Sequence, residues 1–117
     1  MKERVAKDLL HMAAWFELAE GIVAGGGQEA YLADRIMCEA SDGILMKLGE
    51  AAGRLRRSGV DVPEGVELRI AVAMRNALIH GYDVIDRDAV WETLKVNLPQ
   101  WQRLLAPRIV EARRVLG

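Results

Sequence analysis

Apolar residues spaced three and four positions apart run through most of this chain, and this spacing restricts its fold more than any other feature. An α-helix completes a turn every ~3.6 residues, so residues at such steps share one face and can be buried together. The first stripe has steps of four, three, four, three and four: Val5, Leu9, Met12, Phe16, Ala19 and Val23. No stretch of useful length alternates in the way that half-buried strands require. The sequence therefore predicts an all-α fold.

Glycines end the first two predicted helices. Gly25, Gly26 and Gly27 stop the first, because successive glycines lose too much backbone entropy on ordering. The second helix is predicted from about Gln28 to Ser58, with Gly59 as its C-terminal cap. Its buried stripe is Met37, Ile44, Leu48, Ala51 and Leu55.

A connector at 60–65, which contains a proline and a glycine, separates the second helix from the third. The third helix is predicted to start between Glu64 and Glu67 and to end near His80 or Gly81. On this helix a buried side is expected to form from five apolar residues: Ile70, Ala71, Met74, Ala77 and Leu78.

The fourth helix is predicted to follow Asp86 or Asp88, since either carboxylate can accept from its first free amides. Pro99 and Pro107 lack a backbone donor and crowd the preceding turn, so a kink or break is expected at each, with a restart after Leu98. The stripe of this helix is Val90, Leu94, Leu98, Trp101, Leu105, Ile109, Ala112 and Leu116.

Size and composition bound the class of protein. A length of 117 residues fits one domain, 1–117, built as an up-and-down bundle of four main helices. The single cysteine, Cys38, cannot form an internal disulfide, which favours a cytoplasmic location. Apolar runs stay below the ~18 residues of a membrane span, so no membrane association is expected. A net charge of −1 argues against a broad basic surface but allows a local phosphate site.

The densest group of reactive side chains lies on the third helix and just past its end, within eight positions: Arg75, Asn76, His80 and Tyr82. An arginine holds a phosphate with a planar fork of donors, and a histidine transfers protons near neutral pH. Asn76 and His80 are four residues apart and share a helix face, which the long side chain of Arg75 can reach. The segment therefore indicates phosphodiester chemistry that needs no metal.

RNA provides its own nucleophile for such a reaction, the ribose 2′-hydroxyl. His80 would transfer a proton, Arg75 would stabilise charge on the phosphoryl oxygens, and Asn76 would orient the phosphate or the imidazole. Cleavage needs both a base and an acid, whereas each chain supplies one motif histidine. A two-fold homodimer that brings two such helices together would supply the pair.

The motif Arg-x4-His-x-Tyr, with asparagine after the arginine, resembles the signature of HepT-like toxins of the HEPN superfamily. The flanking sequence agrees, since residues 48–55 resemble the long second helix of that family. Residues 90–92 and 97–99 resemble the start of its final helix. The similarity covers roughly residues 5–105, nearly the whole chain.

This resemblance implies a helical homodimer and a metal-independent ribonuclease without a cofactor, used as a toxin in a bacterial or archaeal toxin–antitoxin pair. Arg75 and His80 carry over as catalytic residues and Asn76 as their polar support. The family's antitoxin is a small nucleotidyltransferase that transfers AMP from ATP to the motif tyrosine, here Tyr82. Transfer RNA is the substrate that the family suggests.

Two other functions fit the same residues. In the first, the chain is a non-catalytic module that binds a nucleotide or docks a nucleotidyltransferase, for which the modest net charge is an argument. In the second, it is a purely structural dimerising bundle, which predicts that Arg75 and His80 are buried, paired and unreachable by solvent.

Other reactive residues have simpler interpretations. Arg54, Arg56 and Arg57 lie in the last turns of a helix, where cations are favoured, and RNA contact there is the less favoured interpretation. His11 is expected at the surface. Core or interface packing is expected for Cys38, Trp15, Trp91 and Trp101.

Overall fold

The computed structural model describes residues 1–81 and 84–117, and within these ranges it is helical without any strand, as predicted. The helices are α1 (Glu3–Ala24), α2 (Gln28–Ala33), α3 (Arg35–Ser58), α4 (Leu68–His80), α5 (Arg87–Glu92) and α6 (Leu98–Leu116), with a π-helical turn, Thr93–Asn97, joining α5 to α6. The prediction of an all-α fold is confirmed.

The buried core follows the predicted stripes of the first and last helices. In α1, Leu9, Met12 and Phe16 are almost fully buried, and α1 packs against both α3 and α6. In α6 and the turn before it, Leu98 and Leu105 are equally buried. The spacing of apolar residues therefore identified the faces on which these helices meet.

The prediction of one uninterrupted helix from Gln28 to Ser58 is wrong, because the chain leaves the helix at Asp34. There the backbone is extended, with φ −106° and ψ 98°, and the carboxylate accepts a hydrogen bond from the Met37 amide at 3.1 Å. An aspartate side chain competes for amides in this way and starts a new helix. Met37, assigned to the buried stripe, is 38% exposed beside this break.

Helix α4 starts at Leu68, later than the predicted range, and ends at His80 as predicted. A tight turn delays its start, since the Val66 amide donates to the Pro63 carbonyl at 3.2 Å. Gly65 lies within this turn at φ +97°, a conformation that favours glycine.

The fourth predicted helix starts as expected, but its backbone responds differently at Pro99 and at Pro107. The Asp86 carboxylate accepts from the Ala89 amide at 3.1 Å and caps α5. A π-helical turn before Pro99 absorbs the irregularity expected there, and α6 begins at Leu98. At Pro107, where a kink or break was expected, α6 continues without a break through this exposed residue. The carbonyl of the exposed Arg103 loses its helical donor and can accept a hydrogen bond from water.

A buried polar network fastens α5 to α2 and α3. Arg87 donates two hydrogen bonds to Asp42, at 2.8 and 2.7 Å, and a third to the Tyr31 hydroxyl at 3.3 Å. That hydroxyl also shares a 2.6 Å hydrogen bond with Ser41. The hydrogen bonds to Asp42 raise the pKa of the Arg87 guanidinium, which therefore stays positively charged at ordinary pH. The network holds the chain that follows α4 against the core.

In the described part of the chain, no helix is both long and apolar enough to cross a membrane. The up-and-down order of the four longest helices and the homodimer stay predictions.

Candidate active site

Gly49 has no side chain, and this allows α3 and α4 to pack closely at the site. A Cβ on Gly49 of α3 would overlap the Cβ of Arg75 and would lie 2.8 Å from the carbonyl oxygen of Ala71. Only glycine allows this approach without movement of the backbone. Gly49 therefore sets the position from which the Arg75 side chain leaves α4.

Arg75 is held beside the outer face of α4 by two polar contacts. Its Nη2 lies 3.5 Å from Oε1 of Glu50, and its Nη1 donates to Oδ1 of Asn76 at 3.1 Å. The side chain is 31% exposed, although its Nε is buried and has no partner among the residues described. The guanidinium therefore turns toward Asn76, as the helix geometry predicted, and keeps donors free for an anion.

Asn76 and His80 are exposed on the outer face of α4, one helical turn apart. Two apolar residues expected on the buried side lie on this outer face instead, since Ile70 is 42% exposed and Ala77 is exposed. Ala71 and Leu78 are buried as predicted. The outer face of α4 thus combines polar groups with small and apolar ones.

In the single chain, His80 is exposed, so the packing within one chain does not bury it as the purely structural alternative predicts for the dimer. Arg75 has an ion-pair partner in Glu50, but about a third of its side chain stays accessible. Both side chains are therefore available to a ligand.

The end of α4 also depends on a glycine. A Cβ on Gly81 would lie 2.8 Å from the carbonyl oxygen of Ala77, so a larger residue there would displace the end of the helix. Tyr82, predicted to be the modified residue, lies outside the described residues.

Sequence reasoning missed Gly49 and Glu50 as parts of the site. Both belong to the block at 48–55 that supported the family resemblance, but no role was assigned to either. Glu50 and Gly49 are 25 and 26 positions from Arg75 in the chain, so only the packing of α3 on α4 brings them into contact. The sequence shows only a glycine followed by an acid within a predicted helix. That pattern does not indicate which arginine of another helix these two residues will contact.

The remaining side chains behave largely as expected. Cys38, Trp91 and Trp101 are buried, Trp15 is half-buried, and His11 is exposed beside Trp15, with ring centres 5.7 Å apart. These aromatic side chains contribute to packing rather than to the face that carries His80.

An all-helical chain that presents arginine, asparagine and histidine on one helix has the groups that a phosphodiester-cleaving protein requires. The family described as Ribonuclease HepT-like matches residues 12–107, and the chain belongs to this family. The predicted family resemblance is thereby confirmed. No solved structure gives a significant match to the chain.

Proposed function

We propose that this protein is a metal-independent endoribonuclease in which His80 and Arg75 act on the scissile phosphate and Asn76 orients it. Membership of the HepT-like ribonuclease family supports the reaction class. The observation that carries the assignment of residues is the solvent-open His80 on the same helix face as Asn76, to which Arg75 is hydrogen-bonded.

The chemistry follows from the groups available. The ribose 2′-oxygen attacks phosphorus as it loses its proton to an imidazole, and the bond from phosphorus to the 5′-oxygen breaks. A second imidazole, protonated, gives a proton to that leaving oxygen. The products are a 2′,3′-cyclic phosphate and a 5′-hydroxyl end. Arg75 stabilises the charge that accumulates on the non-bridging oxygens.

The need for a base and an acid supports a homodimer in which two copies of α4 face each other. The outer face of α4 suits such a contact, because Ile70 is 42% exposed and Ala73 and Ala77 are small and exposed. Small residues let two helices approach closely, which would bring the two His80 side chains to one shared site. Symmetric association of this kind is the commonest among oligomers.

Toxicity and its control extend the same proposal. The protein would act as the toxin of a toxin–antitoxin pair, with transfer RNA as a substrate. A nucleotidyltransferase antitoxin would silence it by transferring AMP to Tyr82. Tyr82 follows His80 by two positions, so the added phosphate and nucleoside would bring negative charge and bulk close to the residue that acts on RNA.

Cleavage of RNA by the purified protein in EDTA tests the catalytic proposal. The parent chain should cut RNA but not DNA of the same sequence, which lacks the 2′-hydroxyl. The His80→Ala variant should lose at least a hundredfold in rate, the usual contribution of a general acid or base. His11→Ala is the matched control, because the chain has two histidines and His11 is exposed on α1. Equal loss in both variants, or none in His80→Ala, would refute the assignment.

Modification of the tyrosine is tested separately with the antitoxin candidate and ATP. Mass spectrometry should show a gain of one AMP on the peptide that contains Tyr82, together with loss of RNA cleavage. Tyr82→Phe should keep cutting RNA and should resist silencing. Silencing of Tyr82→Phe to the same extent would show that the control acts elsewhere.

A further inference from the structure

We propose that Arg57 and the groove between α3 and α4 bind a second phosphate of the RNA strand, beside the phosphate held at Arg75. This inference rests on the proposed ribonuclease function and extends it from the scissile phosphate to the path of the strand. The contacts at Arg75 and His80 do not by themselves show in which direction a bound strand continues.

The groove lies where two glycines of α3, one turn apart, meet α4. Arg75 covers Gly49, whereas Gly53 leaves the α3 side of the groove without a side chain and Val72 of α4 forms the opposite side. The groove has a volume of about 310 Å³ and is open to solvent along its length. Its size and shape suit an extended chain of phosphates and sugars rather than a base buried on all sides.

Arg57 points into this groove. The position that a Cβ would take on Gly53 is 3.3 Å from Nη1 of Arg57, so the guanidinium lies over the glycine instead of extending away from the helix. Among residues 1–81 and 84–117, Arg57 makes no ion pair and no side-chain hydrogen bond. Its donors are therefore free to bind an anion.

Arg57 differs from the other two arginines that line the groove, Arg54 and Arg75, because each of those is paired with an acid. Arg54 is bound to Asp8 through Nε at 3.0 Å and Nη2 at 2.9 Å. Arg75 lies 3.5 Å from Glu50, whose carboxylate also lines the groove and opposes an anion there. Glu50 is paired with Arg75 and 53% solvent-exposed, so its repulsion is weakened. Counting these five side chains, three arginines and two acids leave one net positive charge.

The groove extends from Arg75 toward the start of α4. Gly49 contacts Arg75, and Gly53 faces Val72, three residues earlier in α4. The two glycines are ~6 Å apart along α3, a step comparable with that between neighbouring phosphates of an extended strand. Arg57 thus lies beyond Arg75 as seen from His80, and a further hollow lined by Arg56 adjoins it. Positively charged grooves follow the backbone of single strands in this way.

RNA binding by an uncut complex tests the proposal. In the His80→Ala background, Arg57→Gln should weaken binding of a single-stranded octanucleotide three- to tenfold, measured by fluorescence anisotropy. The dependence of log affinity on log salt should become shallower by about 0.7, the contribution of one phosphate on a single strand. Binding of a dinucleoside monophosphate, whose only phosphate would lie at Arg75, should not change. Arg57→Lys should restore most of the salt dependence.

Arg114→Gln is the matched control, since Arg114 is also an exposed arginine in the last turn of a helix, α6. Both substitutions remove one positive charge and one favourable interaction with a helix end. If the octanucleotide binds both variants equally, or if Arg57→Gln weakens the dinucleotide as much, the groove is not the path. In either case the proposed function stands if the parent chain still cuts RNA. A parent chain that neither binds nor cuts RNA would overturn both.

Discussion

Gly49 and Arg75 form the contact on which the geometry of the candidate site depends. Gly49→Ala places a methyl group against the Arg75 Cβ and the Ala71 carbonyl, so α3 and α4 must separate. Overpacking of this kind costs about 1–3 kcal/mol of unfolding free energy. Because Arg75 moves with α4, RNA cleavage should fall as well. Urea unfolding and the cleavage rate measure the two effects.

Gly43→Ala on the same helix is the control for this prediction. In the described part of the chain, and apart from the backbone of α3 itself, no atom comes within 4 Å of the place a Cβ would take there. The substitution should therefore leave stability unchanged or raise it by about 0.5–1 kcal/mol, the difference between glycine and alanine inside a helix. If Gly49→Ala proves as stable as Gly43→Ala, the close contact does not exist in solution.

The sequence predicted which side chains of α4 are reactive, but not which residues of α3 contact them. The spacing of Asn76 and His80 predicted a shared face that the long side chain of Arg75 can reach, and the hydrogen bond between Arg75 and Asn76 agrees with it. The roles of Gly49 and Glu50 depend on how α3 packs against α4. Residue spacing within one helix contains no information on such a contact.

Asp42 and Arg87 join two elements, and their ion pair holds α5 in place after α4. The side chains are 10% and 27% exposed, so removing one partner leaves the other poorly hydrated. Asp42→Ala should lower the unfolding free energy by about 2–4 kcal/mol. Glu111→Ala is the control, because its 3.4 Å pair with Arg108 is more exposed and should contribute less than about 1 kcal/mol. Equal losses in urea unfolding would contradict this account of α5.

Tyr31 makes the same network sensitive to alkaline pH. Burial raises the pKa of Tyr31 above its usual value of 10.0, although its hydrogen bonds with Ser41 and Arg87 oppose the shift. A folded-state pKa above the unfolded one means that the folded chain holds more protons between the two values. The contribution of Tyr31 to stability is therefore complete below pH 10 and decreases as pH rises through the folded pKa.

Tyr31→Phe measures this contribution directly. The variant should be less stable than the parent at pH 8, and the difference should shrink as the pH rises above the usual tyrosine pKa of 10.0. Urea unfolding at several pH values gives the comparison, in which other titrating groups are common to both chains. A difference that stays constant or grows with pH would contradict a raised pKa.

The buried faces of the helices were predicted well from the spacing of apolar residues. The ends of the helices were predicted poorly where a single residue decides whether a helix stops. The stripes of α1 and α6 identified buried faces because burial of apolar area dominates helix packing. The break at Asp34 came from one side chain capping a new helix. The continuous helix at Pro107 reflects the opposite balance, since Leu105 and Ile109 beside it are buried against the core.

On the scale of the whole molecule, the net charge of −1 argues that RNA contact is confined to a narrow strip. Arg54, Arg57 and Arg75 line one groove, where Asp8 and Glu50 offset two of the three positive charges. Composition alone predicted the absence of a broad basic surface. It did not predict the groove, because the groove arises from two glycines that meet another helix.

Whether two copies of the chain share one site is the central question at this scale. If each cleavage needs one His80 as base and the other as acid, a dimer with one His80→Ala chain should be inactive. Mixing parent and His80→Ala chains at fixed total concentration, after exchange of subunits, makes parent dimers as the square of the parent fraction. The same mixture with His11→Ala chains should keep full activity.

The dependence of RNA cleavage in EDTA on the fraction of parent chains is therefore the most direct test. We predict that the rate follows the square of that fraction, so that an equal mixture retains about a quarter of the activity of the parent. A rate that falls in simple proportion to the parent fraction would show that each chain cuts RNA with its own His80. That result would contradict a site built by two copies of α4.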